Sequence, residues 1–115
     1  MDSLETLTLA MRDFATERDW DQFHSPKNLS MALAGETAEL LDCFRWLTET
    51  ASYQLDDKQH QAVQEELADI LLFTVRLADK LNIDLMAAAE QKMVKNHRNY
   101  PVDKVKGSAK KYNQY

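Results

Sequence analysis

The chain has 115 residues and a formal net charge of −5, with 19 Asp or Glu against 14 Lys or Arg, two Gly, two Pro and a single Cys. That length suits one hydrophobic core, and so little Gly and Pro argues against a β-rich fold with many tight turns and for long helices. No apolar run approaches the roughly 18 residues a membrane-spanning helix needs, and the lone Cys43 cannot form an internal disulfide.

In chain order the pattern predicts four helices. The first runs from about Ser3 to Arg18, capped by Asp2 or Ser3, with Leu4, Leu7, Met11, Phe14 and Ala15 as its apolar stripe. An irregular connection, Asp19 to His24, follows. Ser25-Pro26 supplies an N-cap and a Pro at the first helical position, opening a second helix to about Thr48. After a polar loop over 49–57, a third helix spans about Lys58 to Leu81, and Asp84 caps a fourth that fades near Asn96. Residues 1–100 read as a single all-α catalytic domain. Residues 101–115, Lys-rich, read as an extended or mobile basic tail.

Charge divides unevenly. Residues 1–91 carry 18 acids and 7 Lys or Arg, whereas 92–115 carry 1 acid and 7 Lys or Arg. The acidic body disfavours a surface for duplex DNA, while the cationic end fits either the phosphates of a small ligand or a solvated tail. The N-terminus has acids where a secretory signal has a basic region. With one unpaired Cys, a reducing cytoplasm is the expected compartment.

Two carboxylate pairs carry the chemistry: Glu36-x-x-Glu39 and Glu66-x-x-Asp69. Residues at i and i+3 share a helix face. The seam of the second helix reads Leu29, Leu33, Glu36, Leu40, Cys43, Leu47, and that of the third reads Val63, Glu66, Ile70, Phe73, Leu77, so Glu36 and Glu66 both stand at core positions. A buried carboxylate needs a partner; Arg45 and Arg76 are the nearby cations, too few for four acids. An all-oxygen cage suits Mg²⁺, with Mn²⁺ as a possible substitute. Di-iron bundles also use inward carboxylates, but they need Glu-x-x-His pairs, which neither Glu36, Glu39 nor Glu66 begins. ExxE spacing by itself is also ordinary on an acidic helix surface.

Around the acids, Trp20 and Trp46 are core filler or a platform for a nucleobase; helical periodicity carries Trp46 to roughly the face of the acids. His24 is a loop histidine or a base or hydrogen-bond donor. Cys43 sits in an apolar seam and reads as packing. Lys92 and Asn96 are one helical turn apart with Tyr100 following, which reads as a solvated helix end or a phosphate clamp.

Taken together, these residues resemble the MazG-like all-α nucleoside triphosphate pyrophosphohydrolases, and among them the dCTP pyrophosphatase branch. The likeness rests on Gly35 to Leu40 and Glu65 to Asp69, with Glu17 to Trp20, Gln22 to His24, Pro26 to Leu29, Phe44 to Trp46, Lys92-Met93, Asn96, Arg98 to Pro101 and Lys111-Tyr112 in the same order. The chain departs from that branch at Met11, where the dCTP-specific members carry His. The resemblance implies a four-helix MazG-type fold assembled as a dimer or a dimer of dimers. It implies Mg²⁺ on Glu36, Glu39, Glu66 and Asp69, a base pocket lined by Trp20 and Trp46, Asn96 near base and sugar, and Lys92 and Tyr100 on phosphate.

The expected function is therefore hydrolysis of dCTP or a modified dCTP to dCMP and pyrophosphate, cleansing the nucleotide pool. The same chemistry on dUTP or on general nucleoside triphosphates is a near alternative, and a non-catalytic helical interaction module a distant one. Which acid acts as general base is open; Glu39, off the seam and nearer solvent, is favoured over Glu36. No membrane and no stable nucleic-acid partner are expected.

Overall fold

The sequence's capping signals decide where the helices begin, and the computed structural model, which describes residues 3–114, follows them closely. Helix α1 (Leu4–Glu17) starts at Ser3, whose hydroxyl accepts the Thr6 N–H at 3.1 Å. Asp2, the other expected cap, lies outside the described residues. Helix α2 (Pro26–Asp42) opens on Ser25, which accepts the Asn28 N–H at 3.1 Å and places Pro26 where no intrahelical donor is needed. Helix α3 (Asp57–Lys80) has a full capping box: Asp56 Oδ1 accepts the Gln59 N–H at 2.8 Å, and Gln59 Oε1 accepts the Asp56 N–H at 3.0 Å. Helix α4 (Leu85–Asn99) is capped by Asp84. No strand occurs among the described residues, and no helix is long and apolar enough to cross a membrane.

Two helix ends share one device. The Trp20 N–H reaches the Ala15 carbonyl at 2.8 Å and the Asp19 N–H reaches that of Thr16 at 3.1 Å; at the end of α3 the Ile83 N–H reaches Ala78 at 2.8 Å and the Asn82 N–H reaches Asp79 at 3.2 Å. Both are Schellman turns, and both need a left-handed residue, supplied by Asp19 and Asn82, each at φ 54°. Asn and Asp tolerate that conformation better than other non-glycine residues.

The expected run of α2 to Thr48 is not observed, since the helix stops at Asp42. There the ladder tightens: the Cys43 N–H bonds Leu40, the Phe44 N–H bonds Leu41 and the Leu47 N–H bonds Phe44, all three residues back. One four-residue bond persists, from the Arg45 N–H to Leu41 at 2.9 Å, so 43–46 form turns of mixed pitch in place of regular helix. The tail also differs from expectation. Val102–Val105 forms a short helix α5, Tyr112–Gln114 a 3₁₀ turn, and the Tyr112 ring meets that of Tyr100 edge-on at 6.1 Å.

By their contacts the residues divide into two units between Ile83 and Asp84, so those beyond Pro101 group with α4. In the first unit α3 is central: α2 makes the broadest contact with it and α1 packs on it as well. Leu29, Ala15, Val75 and Ala78 are its fully buried apolar residues. The seam register holds, with Leu33, Leu40, Val63, Ile70, Phe73 and Leu77 half-buried and Glu36 and Glu66 half-buried among them.

The left-handed position at Asn82 is testable. Asn82→Ala should lower the unfolding free energy by at most about 1 kcal/mol, because alanine keeps the Cβ but loses the short polar side chain that lets asparagine tolerate this region, whereas Asn82→Gly should not destabilise; urea denaturation followed by circular dichroism measures both.

Candidate active site

Carboxylate oxygens of Glu36, Glu39 and Glu66 all lie within 4.8 Å of one another, so α2 and α3 bring three of the four acids together. Glu39 is exposed, while Glu36 and Glu66 each bury one oxygen, Oε2, that has no hydrogen-bond partner. Burial raises the Glu36 carboxyl to about 7, and the neighbouring Glu66, Glu39 and Asp69 add to the effect. Burial, with the charges of Glu39 and Asp69, raises Glu66 as well. Like charges in a partly dry gap disfavour ionisation.

Neither arginine named from the sequence relieves this. Arg45 pairs with Asp42 at 3.1 Å. Arg76, only 2 % exposed, is committed elsewhere: its Nη2 donates to Asp21, its Nη1 to Asp79 at 3.2 Å and its Nε to His24 Nδ1 at 3.1 Å. The two cations judged too few for four acids are thus both engaged with other partners, Arg45 with Asp42 and Arg76 with Asp21, Asp79 and His24. The two orphaned oxygens and the all-oxygen donor set fit a hard divalent cation.

Asp69 is not one of the three acids that meet within 4.8 Å. It lines an adjoining cavity of about 310 Å³ whose other walls are Met11 and Phe14 from α1, Trp20 and His24 from the connection, and Leu72 and Phe73 from α3. Asp69 thus faces the cavity while its charge acts on Glu36 and Glu66. The Trp20 ring stands edge-on to Phe14 at 5.7 Å, and the Arg18 guanidinium covers Phe14 at 3.6 Å. The Schellman turn places Trp20 here, since its N–H closes the end of α1.

Trp46 is not in this cavity. It follows the end of α2, is 86 % exposed, and has the Arg45 guanidinium 5.7 Å from its ring. The helix whose regular twist set its expected face ends four residues before it. Lys92, Asn96 and Tyr100 lie in the second unit, with Lys92 exposed and Asn96 and Tyr100 half-buried on or just after α4.

The Arg76 cluster has no counterpart in the sequence reading. Asp79 also takes two bonds from Arg12 of α1, at 2.6 and 3.1 Å, and Arg12 first and Arg76 next hold its carboxyl below the usual range. Lys80 joins Asp21 at 2.7 Å. Arg76 at i and Asp79 at i+3, followed by Lys80, gave a hint of a charged helix end, but Asp21 and His24 are more than 50 residues away along the chain.

Comparison with known proteins sharpens this picture. Residues 32–114 match the MazG-like family. The chain belongs to the MazG-like family. It is 44 % identical over 112 residues to dCTP pyrophosphatase 1 of Mus musculus, covering 96 % of this chain and 66 % of that protein, so it spans just under two thirds of the mouse relative's length. It is 40 % identical over 114 residues to dCTP pyrophosphatase 1 of Homo sapiens, covering 97 % of this chain and 67 % of that protein. A crystal structure of a pyrophosphatase from Archaeoglobus fulgidus superposes with a TM-score of 0.80 at 36 % identity, covering 84 % of this chain and 91 % of that one. The all-helical MazG-like fold is thus shared.

The raised Glu36 carboxyl sets a pH test. Its folded value lies above the unfolded one, so in metal-free protein its contribution to stability is greatest below about 4.5 and is lost as pH rises through about 7. Glu36→Gln should therefore raise the melting temperature of metal-free protein at pH 8 and change it little at pH 5.

Proposed function

We propose that this MazG-like protein is a nucleoside triphosphate pyrophosphohydrolase that cleaves dCTP or a modified dCTP to dCMP and pyrophosphate, with dUTP or general nucleoside triphosphates as the nearest alternative substrates. The observation that carries the reading is Asp69, which joins the orphaned carboxylates to a cavity walled by Trp20 and apolar side chains. A phosphate chain needs cation-bearing acids and a base needs an aromatic wall, and here the two adjoin. The relatives named for dCTP hydrolysis supply the substrate class.

In this reading Glu36, Glu39, Glu66 and Asp69 hold Mg²⁺, for which Mn²⁺ can substitute. A divalent ion bound there supplies charge neutralisation on the phosphates. Water attacks the α-phosphorus, the bond to the α–β bridging oxygen breaks, and pyrophosphate leaves. Glu39, the exposed acid of the three that meet, takes the water's proton in this reading. Trp20 stacks on the base, Asn96 contacts base and sugar, and Lys92 and Tyr100 contact phosphate. Catalysis is then chiefly positioning and electrostatics.

Self-association belongs to the same reading. Leu67 and Leu71, one turn apart on α3, are 52 % and 45 % exposed, and Trp46 is more exposed still. A dimer or dimer of dimers covers such residues, and in it Trp46 joins base recognition through a neighbouring copy. The resulting role is pool sanitation in the cytoplasm, without a membrane or a stable nucleic-acid partner.

Purified protein with Mg²⁺ and each common nucleotide, followed by product identification, tests the activity. Pyrophosphate should appear with dCTP and vanish with EDTA. Glu66→Ala and Asp69→Ala should each lower kcat by more than about 100-fold with helicity kept, and release of orthophosphate alone would overturn the reading. Trp20→Ala should raise KM about 5- to 100-fold, the equivalent of one lost base stack; an unchanged KM would make Trp20 packing only.

A further inference from the structure

The cavity offers few polar groups to orient a ligand, and one of them is held in a defined state by a residue outside the cavity. Beyond the Asp69 carboxylate, the wall is apolar or aromatic except for His24. His24 Nδ1 lies 3.1 Å from Arg76 Nε. A guanidinium has donors and no acceptor and stays charged, so the Nδ1 it faces must be the lone-pair nitrogen. The imidazole proton then resides on Nε2, for which no partner exists among the described residues.

From this we infer that Arg76 is a positioning residue: it fixes His24, a residue of the cavity wall, as the Nε2–H tautomer, so that the site selects nucleobases presenting a carbonyl acceptor at that wall, as the 2-oxo edge of a pyrimidine does. The inference deepens the pyrophosphohydrolase reading and rests on it for the identity of the cavity's occupant. Three further observations support it. Arg76 is 2 % exposed and anchored by Asp79 and Asp21, so its Nε has little freedom to turn away. Asp79 is itself clamped by Arg12, which ties the arrangement to α1, the helix that carries Met11 and Phe14. Burial, followed by the charges of Arg76 and Lys80, lowers the His24 pKa, which keeps the ring neutral at physiological pH. A neutral ring with one proton distinguishes donor from acceptor, which an imidazolium with two donors does not.

The test reads tautomer and ligand separately. Long-range ¹H–¹⁵N spectra of the wild-type protein should show His24 protonated at Nε2 alone, and addition of dCMP should move the Nε2–H signal downfield. Arg76→Met should mix the tautomers and raise KM for dCTP about 3- to 10-fold, the worth of one neutral hydrogen bond, with a much smaller change in kcat. Should Arg76→Met fail to fold, His24→Phe, which leaves Arg76 both carboxylates, should give a KM increase of the same size and abolish the dCMP-induced shift. A proton on Nδ1 in the wild type, a dCMP-insensitive Nε2–H, or an unchanged KM in the folded variant each overturns the inference. Absence of any triphosphate hydrolysis would instead strike the enzymatic reading, leaving the tautomer and dCMP spectra to decide the role of Arg76.

Discussion

Two carboxyl oxygens buried without partners, one on Glu36 and one on Glu66, are the constraint around which the first unit is organised. Helices α2 and α3 meet along an apolar seam, and at one level of that seam leucine or valine gives way to acid on both sides. Packing alone would not tolerate this, because burying an unpaired polar group costs free energy that the surrounding apolar contacts must supply. The carboxyls respond by becoming harder to ionise. Metal-free, the interface is frustrated at the point where a divalent ion fits, which links the stability of the seam to its chemistry.

Of the two cations near the acids in sequence, Arg45 pairs with Asp42 after α2 and Arg76 is tied up towards the end of α3. Arg76 gathers Asp21, Asp79 and His24, and Arg12 reaches Asp79 from α1. This knot fastens the α1–α2 connection to α3 and thereby fixes the wall of the cavity on which Trp20 and His24 sit. A buried arginine is costly unless its donors are met; here every branch of the fork has an acceptor. Charge is thus segregated along one helix, uncompensated at Glu66 and paired at Arg76 and Asp79.

Much of this was legible in the sequence because it depends on short-range rules. Ser3, Ser25, Asp56 and Asp84 cap their helices through bonds to residues three positions on. The i, i+3 spacing of the acids and the heptad-like seams likewise concern neighbours on one helix, and they placed Glu36, Glu39 and Glu66 together. Extrapolation failed where local geometry changed within an element. The expected face of Trp46 assumed that α2 ran on to Thr48, whereas the helix ends at Asp42. The Lys-rich tail, with Val102 and Val105 its only branched aliphatic residues, gave too short a pattern from which α5 or the Tyr100–Tyr112 contact could be read.

By itself, then, the sequence determined an all-helical chain, the starts of its helices, the pairing of acids across two seams and membership of the MazG-like family, because each is encoded in spacing or in matched order of residues. Only the tertiary structure decided that Arg76 serves the scaffold instead of the acids, that Asp69 opens on the aromatic cavity, and that His24 Nδ1 meets Arg76 Nε. Those outcomes turn on which of several acceptors lies within about 3 Å of a guanidinium, and partners 52 to 55 residues apart in the chain meet at that distance only after the helices have packed.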